Sequence, residues 1–295
     1  MVLVVGATGV LGFDVCRRLA ARGEKVRALV RPTSSREKIE WLRSFGVELH
    51  QGDLKDPPSL ASACRGADAV ISTASSTLSR QPGDSIASVD AAGQMNLVDA
   101  AKAAKINRFL FVSFPHPVNI SFDLDDAKRH VEDAIQPMNF TVVVPNYFME
   151  VWLSPRLGFD YANATARIYG TGAKPISWVS FHDVAEFCAI ALRHPAAAHR
   201  TIEFGGPEAI SSLNVVAIFE KLGHRPFTVE HISEPSLLAQ FQQATDPMQK
   251  AFAAFMLLNA RGSVMNMEPV MSEFVIRPIN VEQYASDVLA NTPPA

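Results

Sequence analysis

The sequence predicts an α/β fold: a doubly wound parallel sheet of Rossmann type with a smaller, mostly helical C-terminal region. The opening stretch carries most of the weight, because the apolar run Val2 to Val5 leads straight into Gly6, Gly9 and Gly12 at three-residue intervals. Strand, tight turn and first helical turn follow one another in that pattern. Short apolar runs then alternate with amphipathic segments as far as Ser113, which is the signature of βα units. The composition, 48% hydrophobic over 295 residues, supplies a large core. The expected organisation is a dinucleotide-binding region over 1–150, with 175–206 returning to the same sheet, and a smaller substrate or capping region from 151–174 and 207–295.

The bulk numbers exclude several function classes. A net charge of -3, from 27 basic and 30 acidic residues, favours neither nucleic acid nor a membrane surface. No apolar run is long enough to span a bilayer, and the strand beginning at Val2 leaves no room for a cleaved leader. Cys16, Cys64 and Cys188 are odd in number and far apart, so they read as core thiols of a cytoplasmic protein, without disulfide or metal. There are no repeats, no metal-ligand spacing and no nucleophile elbow.

Each glycine in the opening stretch has its own task. Gly6 permits the sharp turn, Gly9 lets the backbone approach a pyrophosphate, and Gly12 lets the helix pack closely on the sheet. Thr8, Val10 and Leu11 complete the loop, whose N–H groups face the ligand's negative charge at a helix N-terminus. The second strand, Lys25 to Arg31, ends on a cation where NAD-preferring sites carry an acid. Arg31, with the hydroxyls of Ser34 and Ser35, suits a 2′-phosphate, so the expected cofactor is NADP(H).

A helix over Arg36 to Phe45 and a strand over Val47 to His50 lead to Gly52-Asp53-Leu54, which would set Asp53 and Leu54 beside the adenine. Asp56-Pro57-Pro58-Ser59 begins the next helix. The fourth strand, from Ala69, leaves through the small residues Thr73, Ala74 and Ser75, which give space to the nicotinamide half. A polar loop precedes a long helix over Val89 to Ala104, and Phe109 to Ser113 is the fifth strand.

With Gly6-Ala7-Thr8-Gly9-Val10-Leu11-Gly12, the Arg31 strand end, Gly52-Asp53-Leu54, Val70-Ile71-Ser72 and Phe111-Val112-Ser113 in this order, the chain resembles the atypical short-chain dehydrogenase/reductase proteins of the NmrA-like group. That group holds isoflavone-reductase-like ether reductases, NADPH-dependent quinone reductases and redox-sensing regulators. The resemblance is good as far as about Gly205 and looser beyond. It implies fold and cofactor far more firmly than substrate.

Ordinary short-chain dehydrogenases carry a Tyr four residues before a Lys; here Leu124 precedes Lys128 at that spacing, and none of the 4 tyrosines is so followed. Lys128 nevertheless stands where isoflavone-reductase-like enzymes carry their catalytic Lys, and the resemblance implies that it binds the nicotinamide ribose and moves a proton. To act as a base near neutrality, a Lys must lose about 4 kcal/mol of its preference for the charged form. Asp125 and Glu132 lie on the same face of a helix expected over Lys128 to Ile135, and they favour the ammonium. The expected role is therefore a charged ribose and oxyanion donor; the competing reading is a surface Lys in an ion-pair row.

A sixth strand, Phe140 to Val144, leads into Pro145, Asn146, Tyr147 and Phe148, which would line the nicotinamide end. Tyr147 is the candidate hydroxyl donor there, or else a plain core aromatic. Ser113 and His116 follow strand five on the same edge, His116 being a candidate acid or a loop residue between Pro115 and Pro117. His182-Asp183 opens a helix that Asp183 caps. Arg167 to Gly172 suggests a hairpin towards Ile176 to Val179. Further on come a helix over Leu213 to Leu222 and helical turns from Leu237 to Ala260, broken at Asp246-Pro247. Their Met and Phe residues form an apolar face.

The expected function is hydride transfer from NADPH to a small, apolar, conjugated acceptor such as a quinone or enone, by a monomer or homodimer. Alternatives are a redox-sensing regulator that binds NADP(H) without turnover, and a sugar-nucleotide or ether-cleaving enzyme.

Overall fold

The computed structural model describes residues 1–79 and 81–291, in two compact units. The first comprises Met1–Phe114, Ser121–Val144 and Val184–Ile202; the second comprises Pro115–Ile120, Pro145–Asp183 and the chain from Glu203 onward. The segment before Val184, including Pro175–Ile176, thus belongs with the second unit.

The first unit runs β1 (Val2–Val5), α1 (Val10–Ala21), β2 (Val26–Val30), α2 (Arg36–Ser44), β3 (Glu48–Gln51), α3 (Pro57–Cys64) and β4 (Ala69–Ser72). A π-helical turn, Ile86–Ala91, then passes into α4 (Ala92–Ala103), followed by β5 (Arg108–Val112), α5 (Asp123–Ile135) and β6 (Phe140–Pro145). The strand Arg200–Phe204 joins these six, and the sheet order is Arg200–Phe204, β6, β5, β4, β1, β2, β3. β1 lies parallel between β2 and β4, Val2 standing opposite both Val26 and Ala69. Its four side chains are all buried, because helices cover both faces of a parallel sheet. The chain winds outward in both directions from β1 and β4, and the crevice at this reversal of strand order is where such sheets bind ligands.

Local chemistry explains most element ends. Ser35 caps α2 by accepting from the Lys38 N–H. Prolines 57 and 58 start α3, where their missing N–H groups are not needed. The buried Arg108 guanidinium at the foot of β5 is satisfied by Asn139, Thr141 and the carbonyls of Phe140 and Ala191. All three cysteines are buried, and burial pushes the Cys64 thiol up to about 11 and the Cys188 thiol up to about 12.

Two elements of this unit depart from sequence expectation. The long helix begins at Ile86 rather than Val89, and its first turn is wound as a π-helix. Ser85 and Ser88 cap that turn reciprocally, and the extra residue in it rotates Asp90 to a fully buried position. α5 begins at Asp123 rather than Lys128, because Asp123, Asp125 and Asp126 suit the positive end of the helix dipole. Lys128 is therefore mid-helix.

In the second unit, Thr165–Tyr169 pairs parallel with Thr228–Ile232 and antiparallel with Phe159–Asp160. The hairpin expected after Tyr169 does not form. Gly170 and Gly172, at φ of 67° and 71°, turn the chain away, and Pro175–Ile176 pairs instead with Ile210–Ser211. Helices Ser212–Gly223, Glu234–Gln243, Pro247–Arg261, Glu268–Phe274 and Val281–Ala290 complete the unit. Its core gathers Met149, Phe159, Trp178, Phe219 and Tyr284. Asp183 is already inside the helix Phe181–Ala191, and its carboxylate accepts from the Ile279 N–H. Among the described residues, no helix is long and apolar enough to cross a membrane.

Candidate functional site

The turn between β1 and α1 is built around its glycines. Gly6 sits at φ +87°, and a Cβ there would come within 2.8 Å of the Ala74 backbone nitrogen. A Cβ on Gly12 would lie 2.3 Å from the Gly6 carbonyl oxygen, so only glycine lets α1 approach the turn. The Gly9 N–H donates to Gly6 O at 2.8 Å, and the first intrahelical bond is Phe13 N–H to Gly9 O. The N–H groups of Val10, Leu11 and Gly12 precede it, and no side chain caps the helix. Gly9 and Val10 are exposed and Thr8 is partly so. The Thr8 carbonyl accepts from Lys38 Nζ at 2.7 Å.

At the end of β2, the Arg31 backbone N–H donates to Ser34 Oγ at 3.0 Å, folding the loop back on the strand. Arg31 Nη1 donates to Asp84 Oδ2 at 2.7 Å, and Lys55 Nζ donates to Asp84 Oδ1 at 2.6 Å. Ser79 Oγ donates to the same carboxylate. Burial works to raise the Asp84 pKa, but the bonds from Lys55, Ser79 and Arg31 outweigh it and hold the carboxyl at about 2. Lys55 also reaches Asp53 at 3.2 Å. Leu54 is buried against Gly93, where a Cβ would come within 2.9 Å of it.

The carboxyl ends of β4 and β5 form the inner part of the site. The Thr73 hydroxyl is anchored on the Val5 carbonyl and the Ser75 hydroxyl pairs with Thr77, while Ala74 leaves the exit narrow in side chains. Ser76 donates through its N–H (3.0 Å) and its hydroxyl (2.5 Å) to Asp90 Oδ2, while buried Asp90 Oδ1 has no hydrogen-bond partner. The π-helical turn carrying Asp90 packs on α5, which carries Lys128. Lys128 is 4% exposed, donates to the Val112 carbonyl at 3.2 Å and lies 4.6 Å from the centre of the Phe111 ring.

Burial lowers the pKa of Lys128; Asp90 and then Glu132 oppose it without reversing it. This corrects two expectations. Lys128 is not a surface residue in an ion-pair row, and Asp125 does not hold its charge, because Asp125 is buried and pairs with Arg129 at 2.8 Å. Ser113 is buried too, its hydroxyl donating to Glu132.

The remaining candidates lie in the second unit. Pro145 and Asn146 are buried; Asn146 Nδ2 donates to Ser263 O at 2.9 Å, while its Oδ1 has no partner. Phe148 precedes the short helix Met149–Trp152 and packs 5.6 Å from Phe181. His116 is half-buried in the Pro115–Ile120 segment. The Tyr147 hydroxyl donates to the Phe255 carbonyl at 3.1 Å among Trp152 and Trp178, and burial pushes its pKa far up. That geometry gives Tyr147 the core-aromatic role rather than that of an accessible acid.

The model of the NmrA-like family matches residues 1–285. The chain belongs to the NmrA-like family. An isoflavone reductase homolog of Zea mays is 30% identical over 288 residues, 90% of this chain and 88% of the maize protein. Photosystem II assembly factor Ycf39 of Guillardia theta is 28% identical over 299 residues, 97% of this chain and 93% of that one. Among solved structures, an NADPH-dependent quinone oxidoreductase of Escherichia coli complexed with NADPH superposes with a TM-score of 0.77 at 19% identity. That likeness covers 98% of this chain and 100% of the other, and it establishes the fold.

In this NmrA-like chain, sequence reasoning missed Lys38, Lys55, Asp84 and Asp90. Lys38 carried a signal: a cation in the first turn of α2 is close to the loop that ends β2. The other three come from separate loops and from a π-turn, for which spacing gives no cue.

Proposed function

We propose that this NmrA-like protein is an NADP(H)-dependent oxidoreductase acting on a small, largely apolar, conjugated acceptor of quinone or enone type. The observation that carries the reading is Lys128, whose buried Nζ stands at the carboxyl edge of β5 and bonds the Val112 carbonyl. The residues present fit the cofactor: Gly6 and Gly12 have no room for a Cβ, so the turn and α1 close tightly on the end of β4, and the uncapped N-terminus of α1 suits a pyrophosphate. Arg31, assisted by Ser34 and Ser35, takes the 2′-phosphate, Asp53 and Leu54 flank the adenine, and Thr73, Ala74, Ser75 and Ser113 face the nicotinamide half.

When bound, NADPH supplies the hydride. Lys128 Nζ donates to the acceptor oxygen on which negative charge develops and passes a proton to it; burial strengthens that donor and lowers its pKa towards the working range. Buried Leu124 replaces the hydroxyl acid of ordinary short-chain dehydrogenases, which suits an acceptor whose anion needs only modest stabilisation. The names of the maize isoflavone reductase homolog and the bacterial quinone oxidoreductase support a reductase. The reading places the reaction in the cytoplasm, carried out by a monomer or homodimer.

The similarity to an assembly factor over 97% of the chain favours one second reading, an NADP(H)-binding protein that acts through a partner without turnover. Steady NADPH oxidation against a panel of quinones and enones separates the two. Turnover with at least one acceptor supports the enzyme; tight NADPH binding with no turnover on any member rejects it.

A further inference from the structure

The Arg31 guanidinium, which the proposed function assigns to a 2′-phosphate, is already taken. Asp84 bonds it at 2.7 Å and bonds Lys55 at 2.6 Å, and the Asp84 side chain is 3% exposed although its two partners are 31% and 34% exposed. Asp84 arrives on a different stretch of chain, just after Gly83 (φ 79°) in the loop between β4 and the π-helical turn. Its backbone N–H is tied to Gln81 O at 3.2 Å and its carboxylate also accepts from Ser79, so the loop delivers the acid to the two cations. Arg31 and Lys55 contribute two positive charges; Asp84 and Asp53, which also touches Lys55, contribute two negative ones. The cluster is neutral as it stands. A dianionic phosphate gains little from a neutral cluster, and the Asp84 carboxylate already offers the two cations the negative charge and the pair of acceptor oxygens that a phosphate would offer them.

We propose that Asp84 is an internal competitor for the cofactor's 2′-phosphate, and that its withdrawal from Arg31 and Lys55 determines how strongly the site prefers NADP(H) over NAD(H). The inference rests on the assignment of Arg31 to that phosphate. NAD(H) carries no 2′-phosphate and leaves the Asp84 contacts intact. NADP(H) must displace them, so the unmodified chain discriminates less than its cations alone would. The opposite arrangement, in which Asp84 stays and orients Arg31 for the phosphate, predicts the opposite sign.

The test is calorimetric binding of NADPH, NADH and 2′,5′-ADP to the full chain and to Asp84→Asn and Asp84→Ala, at one ionic strength. Asp84→Asn keeps the side chain's size and an acceptor for Ser79 while removing the charge. Both variants are expected to tighten NADPH and 2′,5′-ADP by about tenfold or more, with NADH changed by less than about twofold. Weaker or unchanged NADPH and 2′,5′-ADP binding overturns the proposal, and so does equal tightening of NADH, which would report general anion attraction. Arg31→Ala separates the two layers. If it leaves the NADPH-to-NADH ratio unchanged, the Arg31 assignment fails. If the ratio collapses while the Asp84 variants gain nothing, only the competitor fails. A melting-temperature rise of Asp84→Asn, but not of the unmodified chain, with inorganic phosphate gives a readout free of cofactor.

Discussion

Lys128 Nζ stands 4.6 Å from the centre of the Phe111 ring and donates to the carbonyl of Val112, so one strand end supplies both an aromatic face and an acceptor to a buried amine. Burial makes the charged form of this amine costly. Burial lowers the Lys128 pKa below the ordinary lysine value of 10.5. Between the folded value and 10.5 the unfolded chain binds more protons than the folded one, so stability rises with pH across that window. Below the window the full penalty is present. Lys128→Met is therefore expected to melt higher than the unmodified chain at neutral pH, by roughly 1–3 kcal/mol in stability, with the gap closing as pH approaches 10.5. Thermal melts over a pH series check this; a gap constant with pH would show that the charge is not the cause. The same variant should lose about 100-fold or more in turnover with little change in NADPH affinity.

Asp90 tunes that lysine. It is the leading charge opposing the burial effect on Lys128, and it is anchored through one oxygen on Ser76 while the other is unpartnered. Asp90→Asn removes the charge and keeps an acceptor for Ser76. The expected result is a further fall in the Lys128 pKa, read as a shift of the Lys-dependent limb of the pH–rate profile to lower pH. Asp90→Ala also strands the buried Ser76 donors and should cost a further 1–3 kcal/mol of stability, roughly. An unmoved profile in Asp90→Asn would detach Asp90 from Lys128.

The parts of the site that a reader of the sequence finds are those whose geometry is local. Gly6, Gly9 and Gly12 act within one turn, so their spacing reports their task directly. Arg31 is found because it ends a strand whose neighbour is already known. Asp84 and Lys55 are 29 residues apart and meet only because the β4 exit loop folds over the β3 exit loop, a tertiary event without a sequence period. The π-turn is hidden for a related reason: one extra residue in a helix leaves the apolar pattern of α4 nearly unchanged while rotating Asp90 inward. The burial of Lys128 was legible in principle, since the run Asp123, Asp125, Asp126 marks a helix start earlier than Lys128. The hairpin expectation failed because glycines that permit a turn do not specify which strand lies beyond it.

Gly12 offers a test of the cradle that requires no ligand. A methyl group there would meet the Gly6 carbonyl oxygen at 2.3 Å and Thr73 Oγ1 at 2.6 Å, and the first of these is backbone within a turn that is itself at positive φ. Neither side can yield without opening the β1–α1 junction. Gly12→Ala should destabilise the chain by about 1–3 kcal/mol and abolish measurable NADPH binding. Gly23→Ala, whose Cβ would meet nothing but whose φ is +78°, controls for the loss of glycine flexibility alone and should leave NADPH binding intact. Equal binding by the two variants would remove the close approach at Gly12 from the argument.

Tyr147 separates a structural phenol from a catalytic one. Its hydroxyl bonds the Phe255 carbonyl at 3.1 Å and burial pushes its pKa far above neutrality, so it neither releases a proton near pH 7 nor has its own proton free to donate. Its ring packs edge-on against Trp152 with centroids 4.9 Å apart, a contact that phenylalanine preserves. Tyr147→Phe therefore removes one hydrogen bond to a carbonyl within the helix Pro247–Arg261, a loss of about 1 kcal/mol read as a lower melting temperature. Turnover with any accepted quinone or enone should stay within about twofold at every pH measured, because a proton donor removed from the chemistry would instead lower the rate by about 100-fold. A fall of that size, with melting temperature little changed, would return Tyr147 to the reaction and require its bond to Phe255 to break when substrate binds.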